Sequence, residues 1–243
     1  MFRLSILAAL CLTFAALSFG ASFTGIVVPG TANIQTAGGN ADPTTCCNSN
    51  GASTAAVLAI TFAAGPNQVL TLNNVTGTVG CSGVLTNGPD GTCFNFAQTG
   101  INPLNSISGI FTGVVANMFL VGVFVDDNTP SGPAPASFNY PDAASFALPA
   151  LNNIVLNRLF FLGDGLTGTG SGATTTFNVP AGATRLFLGF ADGFNFQGAA
   201  DYYGDNVGSL TVNGDISTVV PEPSTIALLS GGLAAFLLRR RKR

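Results

Sequence analysis

The chain has 243 residues, of which 47% are hydrophobic and 8% are charged, and it contains no histidine. Between two apolar ends lies a body of about 200 residues, long enough for one domain. This body holds two arginines, ten aspartates, no lysine and no glutamate, a net charge of −8. That balance excludes nucleic acid as a partner, since phosphates need clustered cations. It also excludes histidine-based catalytic units, histidine-ligated zinc sites and lysine Schiff bases.

The N-terminus is typical of a secretory signal peptide. Arg3 gives a short positive start, an apolar segment follows over residues 4–19, and the small residues Ser18 and Gly20 predict cleavage before Ala21. The alternative is a membrane anchor, but about 16 apolar residues are short for a spanning helix, which needs about 20. We therefore expect residues 1–20 to be removed on export.

Four cysteines lie in the body: Cys46, Cys47, Cys81 and Cys93. An even number in an oxidising compartment predicts two disulfides. Adjacent cysteines rarely pair with each other. We therefore expect Cys46 and Cys47, in a long loop over residues 30–51, to bond separately to Cys81 and Cys93. A metal site is the alternative, but the spacing matches no zinc ribbon.

The body has the sequence pattern of strands. Short segments rich in Val, Leu, Phe and Thr are bounded by Gly, Asn, Asp and Pro, and several alternate apolar with polar residues. They span residues 56–62, 68–72, 118–125, 174–179, 185–190 and 208–212. The proline-rich segment 127–142 is expected to be a loop or crossover. No amphipathic helix is evident between the ends. We predict an all-β fold, with residues 21–219 forming a β-sandwich or jelly roll.

Oxygen-bearing side chains concentrate between the last two predicted strands. Asp192, Asp201, Asp205 and Asn206 share one glycine-rich segment. Ca²⁺ prefers six to eight carboxylate and carbonyl oxygens, and clustered carboxylates repel one another without a cation. We predict a calcium site here. The alternative is an acidic turn, because Asp, Asn and Gly are ordinary loop residues.

The amino-acid sequence of this segment resembles a known calcium-binding loop. Residues 190–192 (FAD), a spacer and residues 203–212 (YGDNVGSLTV) are similar to the loop of the bacterial galactophilic lectins of the PA-IL type. The spacer is longer here than in that family. The resemblance implies side-chain calcium ligands at Asp192, Asp205 and Asn206, main-chain ligands at Tyr202 and near Cys81, and an added or replaced ligand at Asp201.

In that family the calcium ion binds two adjacent sugar hydroxyls. The resemblance therefore implies that Asp192 and Asp205 also accept hydrogen bonds from the sugar. Aromatic rings give a sugar an apolar floor. The candidates for that floor are Phe194, Phe196 and Tyr203, and Gln98 and Asn95 lie in the region of a further sugar contact. The family's sugar-contacting histidine has no counterpart in this chain.

The C-terminus has three parts in a fixed order. Pro221-Glu222-Pro223 is followed by an apolar segment, residues 225–238, and by a basic run, residues 239–243. Residues 220–243 resemble the PEP-CTERM sorting signal of Gram-negative bacteria that produce exopolysaccharide. The resemblance implies a sorting helix, an inner-membrane intermediate, cleavage near Pro-Glu-Pro by an exosortase-type transpeptidase, and release or attachment at the cell surface or in the extracellular matrix. The alternative is a permanent single-span anchor.

Three functions are compatible with these features. We expect a calcium-dependent, lectin-like module that binds exopolysaccharide or a galactose-like glycan and is not an enzyme. The alternative is a structural surface or biofilm matrix protein whose calcium only stabilises loops. A third interpretation is a hydrolase that uses two aspartates, such as Asp126 and Asp164, as acid and base.

Overall fold

The computed structural model describes residues 20–39, 41–43, 46–47, 49–84, 87–91, 98–114 and 116–219. Residues Gly20–Val219 form one compact unit. The predicted signal peptide and the predicted sorting helix lie outside the described residues. Within the described ranges, no helix is both long and apolar enough to cross a membrane.

The described residues are mostly strands. The strands are β1 (Ala21–Pro29), β2 (Ala32–Asn33), β3 (Thr54–Ala55), β4 (Val57–Thr61), β5 (Gln68–Gly80), β6 (Gly100–Ile101), β7 (Ile110–Thr112), β8 (Val121–Val125), β9 (Phe138–Tyr140), β10 (Ala150–Leu151), β11 (Leu159–Phe161), β12 (Leu166–Gly168), β13 (Ser171–Thr174), β14 (Thr176–Asn178), β15 (Arg185–Gly189), β16 (Gln197–Gly198) and β17 (Val207–Thr218). Short 3₁₀ helices span Ile34–Gly39, Ala143–Ser145, Phe194–Phe196 and Tyr203–Asp205.

The largest sheet contains five strands in the order β1-β17-β5-β14-β10. Its long strand β17 lies between β1 and β5 and is antiparallel to both, and its pairing with β5 runs from Val207–Gly80 to Thr218–Gln68. A second sheet has the order β11-β8-β15-β4. Smaller sheets are β16-β6-β7-β9, β12-β13 and β2-β3.

The hydrophobic core follows from the strand patterns. Every second residue of β17 from Leu210 to Ile216 is buried, as expected when one face of a strand covers a core. All five residues of β8, which lies between β11 and β15, are buried, so both faces of this strand are covered. Phe124 of β8 stacks on Phe160 with 5.4 Å between ring centroids. Buried side chains of both large sheets belong to one hydrophobic cluster.

The all-β prediction is confirmed, and each of the six predicted segments contains a strand or part of one; β5 and β17 extend beyond their predicted ends. The sandwich or jelly-roll arrangement stays a prediction. Strand β1 was not predicted, because Gly25 with φ 67° interrupts its alternation at a register shift between Phe23 and Ile26. Strand β9 lies inside the segment that the prolines predicted as a loop. It is stabilised there because the ring of Tyr140 stacks on Phe146 with 4.8 Å between centroids.

The predicted disulfide pairing is wrong for the adjacent cysteines. Cys46 and Cys47 are bonded to each other. Their Cα atoms are 3.8 Å apart, and the chain turns at this point because Cys47 has φ 66°. Cys81 also forms a disulfide. Its partner is outside the described residues, as is Cys93.

Candidate functional site

A cleft of about 250 Å³ lies at one end of the five-stranded sheet. Three segments enclose it: the turn after β5, the segment that follows β15, and the segment that leads into β17. A short piece of the 30–51 loop region completes the wall. The lining residues are Asn50, Cys81, Ser82, Asp192, Gly193, Phe194, Asn195, Phe196, Tyr202 and Asp205.

Asp192 is the buried carboxyl group of the cleft, with 3% of its surface exposed. Its Oδ1 accepts a hydrogen bond from the N–H of Gly193 (2.7 Å), and its Oδ2 accepts one from Nδ2 of Asn206 (2.7 Å). Burial raises the pKa of Asp192 to about 7; these hydrogen bonds oppose that shift, and the charges of Asp205 and Asp201 add to it. Near neutral pH this carboxyl group therefore exists in both protonation states.

Tyr203 and Asn206 hold Asp192 in position through hydrogen bonds. The fully buried Tyr203 accepts a hydrogen bond at its hydroxyl from the N–H of Asp192 (3.2 Å). Burial raises the pKa of this hydroxyl far above its usual range, so it stays protonated. Nδ2 of Asn206 also donates to the carbonyl of Gly30 (3.1 Å), next to the end of β1. The floor of the cleft is therefore a set of fixed polar groups.

Phe194 and Tyr202 form an aromatic wall. Phe194 is 62% exposed, and its ring centroid lies 5.3 Å from that of Tyr202. The backbone between β15 and β17 enters the left-handed region at Asn195 (φ 52°) and at Tyr202 (φ 67°). Non-glycine residues rarely adopt this conformation, and it recurs at ligand-binding sites. The surrounding contacts hold these two rings at the surface.

Asp201 fastens a second loop to the cleft. Its Oδ1 accepts a hydrogen bond from the N–H of Ser49 (2.9 Å), and the hydroxyl of Ser49 donates to its Oδ2. Burial acts to raise the pKa of Asp201, but hydrogen bonds from Ser49 and Tyr202 leave it below its usual value. Beside this contact, the backbones of Gly51 and Gly204 touch, and a Cβ atom on Gly204 would lie 2.3 Å from the carbonyl carbon of Gly51.

Asp205 joins the cleft to the turn after β5. Its Oδ2 accepts a hydrogen bond from the hydroxyl of Ser82 (3.3 Å), and its carbonyl accepts one from the N–H of Gly83 (2.9 Å). The carbonyl of Cys81 accepts from the N–H of Val84 (3.2 Å), which closes the turn. Asp205 is thus the second acidic residue of the cleft.

The structure brings part of the predicted calcium set together. The predicted ligands that line the cleft are Asp192, Tyr202, Asp205 and Cys81. Asp201 instead binds Ser49, and Asn206 directs its amide nitrogen, not its oxygen, at Asp192. In the part of the chain that the structure describes, no three His, Cys, Asp or Glu residues are placed to hold one metal ion. Calcium binding stays a prediction.

The structure also places some, but not all, of the predicted sugar-contacting residues in the cleft. Asp192, Asp205, Phe194 and Phe196 line the cleft, and the ring of Phe196 is only 3% exposed. Tyr203 cannot offer an exposed ring, because it is fully buried beneath Asp192. Gln98 is exposed but does not line the cleft, and the prediction for Asn95 lies outside the described residues. The ring of Tyr202 and the side chains of Asn50 and Ser82 were not predicted.

The C-terminal end was compared with known protein families. Residues 219–242 match the PEP-CTERM protein-sorting motif. The chain carries a PEP-CTERM sorting signal. This motif indicates an exported protein that an exosortase-type enzyme processes, with a membrane-associated intermediate before surface display. No curated protein and no solved structure matches the chain. The resemblance of the body to PA-IL-type lectins therefore stays a prediction.

Proposed function

We propose that the body of this PEP-CTERM protein is a carbohydrate-binding module without catalytic activity, displayed at the cell surface or in the extracellular matrix. The observation that supports the proposal is the cleft that combines the exposed ring of Phe194 and the half-buried ring of Tyr202 with oxygen acceptors on Asp192, Asp205 and Asn50. A sugar ring has apolar C–H faces that pack on aromatic rings and hydroxyl groups that donate to such acceptors.

The charge of the molecule favours a neutral glycan. The body carries a net charge of −8, and its two arginines are engaged elsewhere: Arg158 donates to the carbonyl of Asn153 (3.0 Å), and Arg185 donates to the carbonyl of Asp126 (2.8 Å). An anionic polymer would be repelled by the cleft carboxyl groups. We therefore propose an exopolysaccharide segment of neutral, galactose-like sugars as the ligand.

The two aspartates of the hydrolase interpretation, Asp126 and Asp164, accept hydrogen bonds from nearby residues of the chain. Both oxygens of Asp126 accept hydrogen bonds from Asn128 two residues along the chain. The carboxylate of Asp164 accepts from the N–H groups of Leu166 (2.8 Å) and Gly170 (2.6 Å). Each group stabilises its own turn, and this local role argues against the hydrolase interpretation.

A glycan array and a pull-down with the producer's own polysaccharide test the proposal. Phe194→Ala should reduce binding at least about tenfold, the loss of roughly 1.4 kcal/mol that one aromatic contact supplies. Leu58→Ala is the matched control, because Leu58 is also an exposed apolar residue but does not line the cleft. If the wild-type protein retains no polysaccharide in any condition, the structural-protein interpretation replaces this one.

Calcium is the second part of the proposal. We propose that Ca²⁺ binds beside Asp205 and Asp192, because both carboxyl groups line the cleft and a divalent cation would offset their negative charges. Titration calorimetry with CaCl₂ should show binding that Asp205→Ala abolishes and that Asp127→Ala, a change at an exposed aspartate outside the cleft, leaves intact. Sugar binding that persists in a chelator would remove Ca²⁺ from the proposal and leave the glycan site in place.

The sorting signal is tested by deletion. Without residues 221–243 the protein should accumulate in the medium or periplasm, because it loses the segment that the exosortase-type enzyme recognises. The full-length protein in the same cells is the control. Unchanged membrane retention of the truncated protein would contradict this role of the motif.

A further inference from the structure

The two ends of the described chain leave the body at the same place. Strand β1 starts at Ala21, directly after the predicted signal peptide, and Ala21 pairs with Ile216 near the end of β17. The last hydrogen bond of this region joins the N–H of Val219 to the carbonyl of Asn67 (2.8 Å). The sorting motif begins at this same residue, Val219. Any anchor at either end therefore holds the body by this end of the five-stranded sheet.

The cleft lies at the opposite end of the same strand. Asp205 precedes β17, whose first residue, Val207, pairs with Gly80, and Cys81 and Ser82 follow at once. Strand β17 has 12 residues. At about 3.3 Å per residue, it separates the cleft from the point where the chain leaves the body by roughly 36 Å.

We infer that the anchored protein presents its cleft outward, at the end farthest from the membrane or other attachment point. The cleft end is then the surface that a hydroxyl-rich polymer outside the cell can reach, and it faces away from the headgroups of the cell's own membrane. The orientation follows from the connectivity of β1, β5 and β17. It does not depend on the cleft binding a glycan, so the two proposals fail separately.

The experiment compares two epitope tags in the full-length chain. One tag is inserted after Gly83, in the exposed turn beside the cleft, where the structure leaves open space. The other is inserted after Ala64, in the exposed turn beside Asn67. Antibody labelling is measured per molecule of membrane-associated protein, on spheroplasts of cells without the exosortase-type enzyme. We expect at least about fivefold stronger labelling of the tag after Gly83.

Two further measurements separate orientation from damage caused by the tags. In detergent extracts the two tags should be labelled equally. A flexible Gly/Ser segment of about 20 residues, inserted after Val219 and spanning about 25 Å on average, should bring labelling of the tag after Ala64 up to that of the other tag. Equal labelling of the two tags on spheroplasts without this insertion, or stronger labelling after Ala64, would overturn the inference.

Discussion

The buried carboxyl group of Asp192 makes stability depend on pH in a defined direction. Its pKa is raised from 3.8 in the unfolded chain to about 7 in the folded protein. Well below pH 4, the group is protonated in both states and costs nothing. Between pH 4 and 7 the unfolded chain releases the proton first, so folded stability falls as the pH rises. Above pH 7 the full cost is present, about 4 kcal/mol for a shift of about three pKa units.

The substitution Asp192→Asn removes this charge and keeps the shape of the side chain. The new amide has one oxygen and one nitrogen, whereas Gly193 and Asn206 both donate to this position. One N–H group must therefore face another, which costs about 1–3 kcal/mol at every pH. We expect Asp192→Asn to destabilise the protein by about 1–3 kcal/mol near pH 4 and to stabilise it by a similar amount near pH 8.

Urea unfolding at both pH values, in the presence of chelator, measures this change of sign. Asp127→Asn is the matched control. Asp127 is exposed and accepts a hydrogen bond from the hydroxyl of Thr184 (2.6 Å), which an asparagine oxygen can also accept. Its effect should stay within about 0.5 kcal/mol at both pH values. If Asp192→Asn changes the free energy of unfolding equally at both pH values, burial does not raise the pKa of Asp192.

Two further predictions concern the supports of the cleft. Gly204→Ala should lower the free energy of unfolding by about 1–3 kcal/mol, because its Cβ atom would overlap the backbone of Gly51. The control is Gly88→Ala, which should be nearly neutral because the structure has no atom within 4 Å of the added carbon. Tyr203→Phe should cost about 1–3 kcal/mol, because it leaves the N–H of Asp192 buried without an acceptor. Urea unfolding measures both effects. The glycine prediction fails if Gly204→Ala is as neutral as Gly88→Ala. The tyrosine prediction fails if Tyr203→Phe unfolds at the same urea concentration as the wild type.

Local pattern was sufficient to predict strands and insufficient to predict how the cleft is completed. The alternation at Leu210 and Val212 identifies β17, because each of these residues occupies the covered face of one strand. Asp192 and Asp205 were found because they follow and precede strands that the sequence makes evident. Asn50 and Ser82 come from other parts of the chain, and only tertiary contacts bring them to the same wall.

Two adjacent tyrosines also show that sequence pattern alone does not predict which side chain reaches the cleft. Tyr202 and Tyr203 are identical in type and adjacent, yet one ring borders the cleft and the other is fully buried. The left-handed backbone of Tyr202 (φ 67°) turns the chain between them. A sequence pattern does not encode that turn, since left-handed conformations at tyrosine are uncommon and depend on surrounding packing. The disulfide between Cys46 and Cys47 was not predicted for the same reason, because Cys47 also has a left-handed backbone (φ 66°).

The length of β17 has a mechanical consequence. A pull between a molecule held near Asp205 and a chain fixed beyond Val219 acts along this strand, at right angles to its hydrogen bonds with β1 and β5. Such a shearing force strains the two rows of bonds all at once, whereas a peeling force would break them one after another. A folded body that is pulled in this direction therefore resists unfolding better than one whose strand is peeled away from one end.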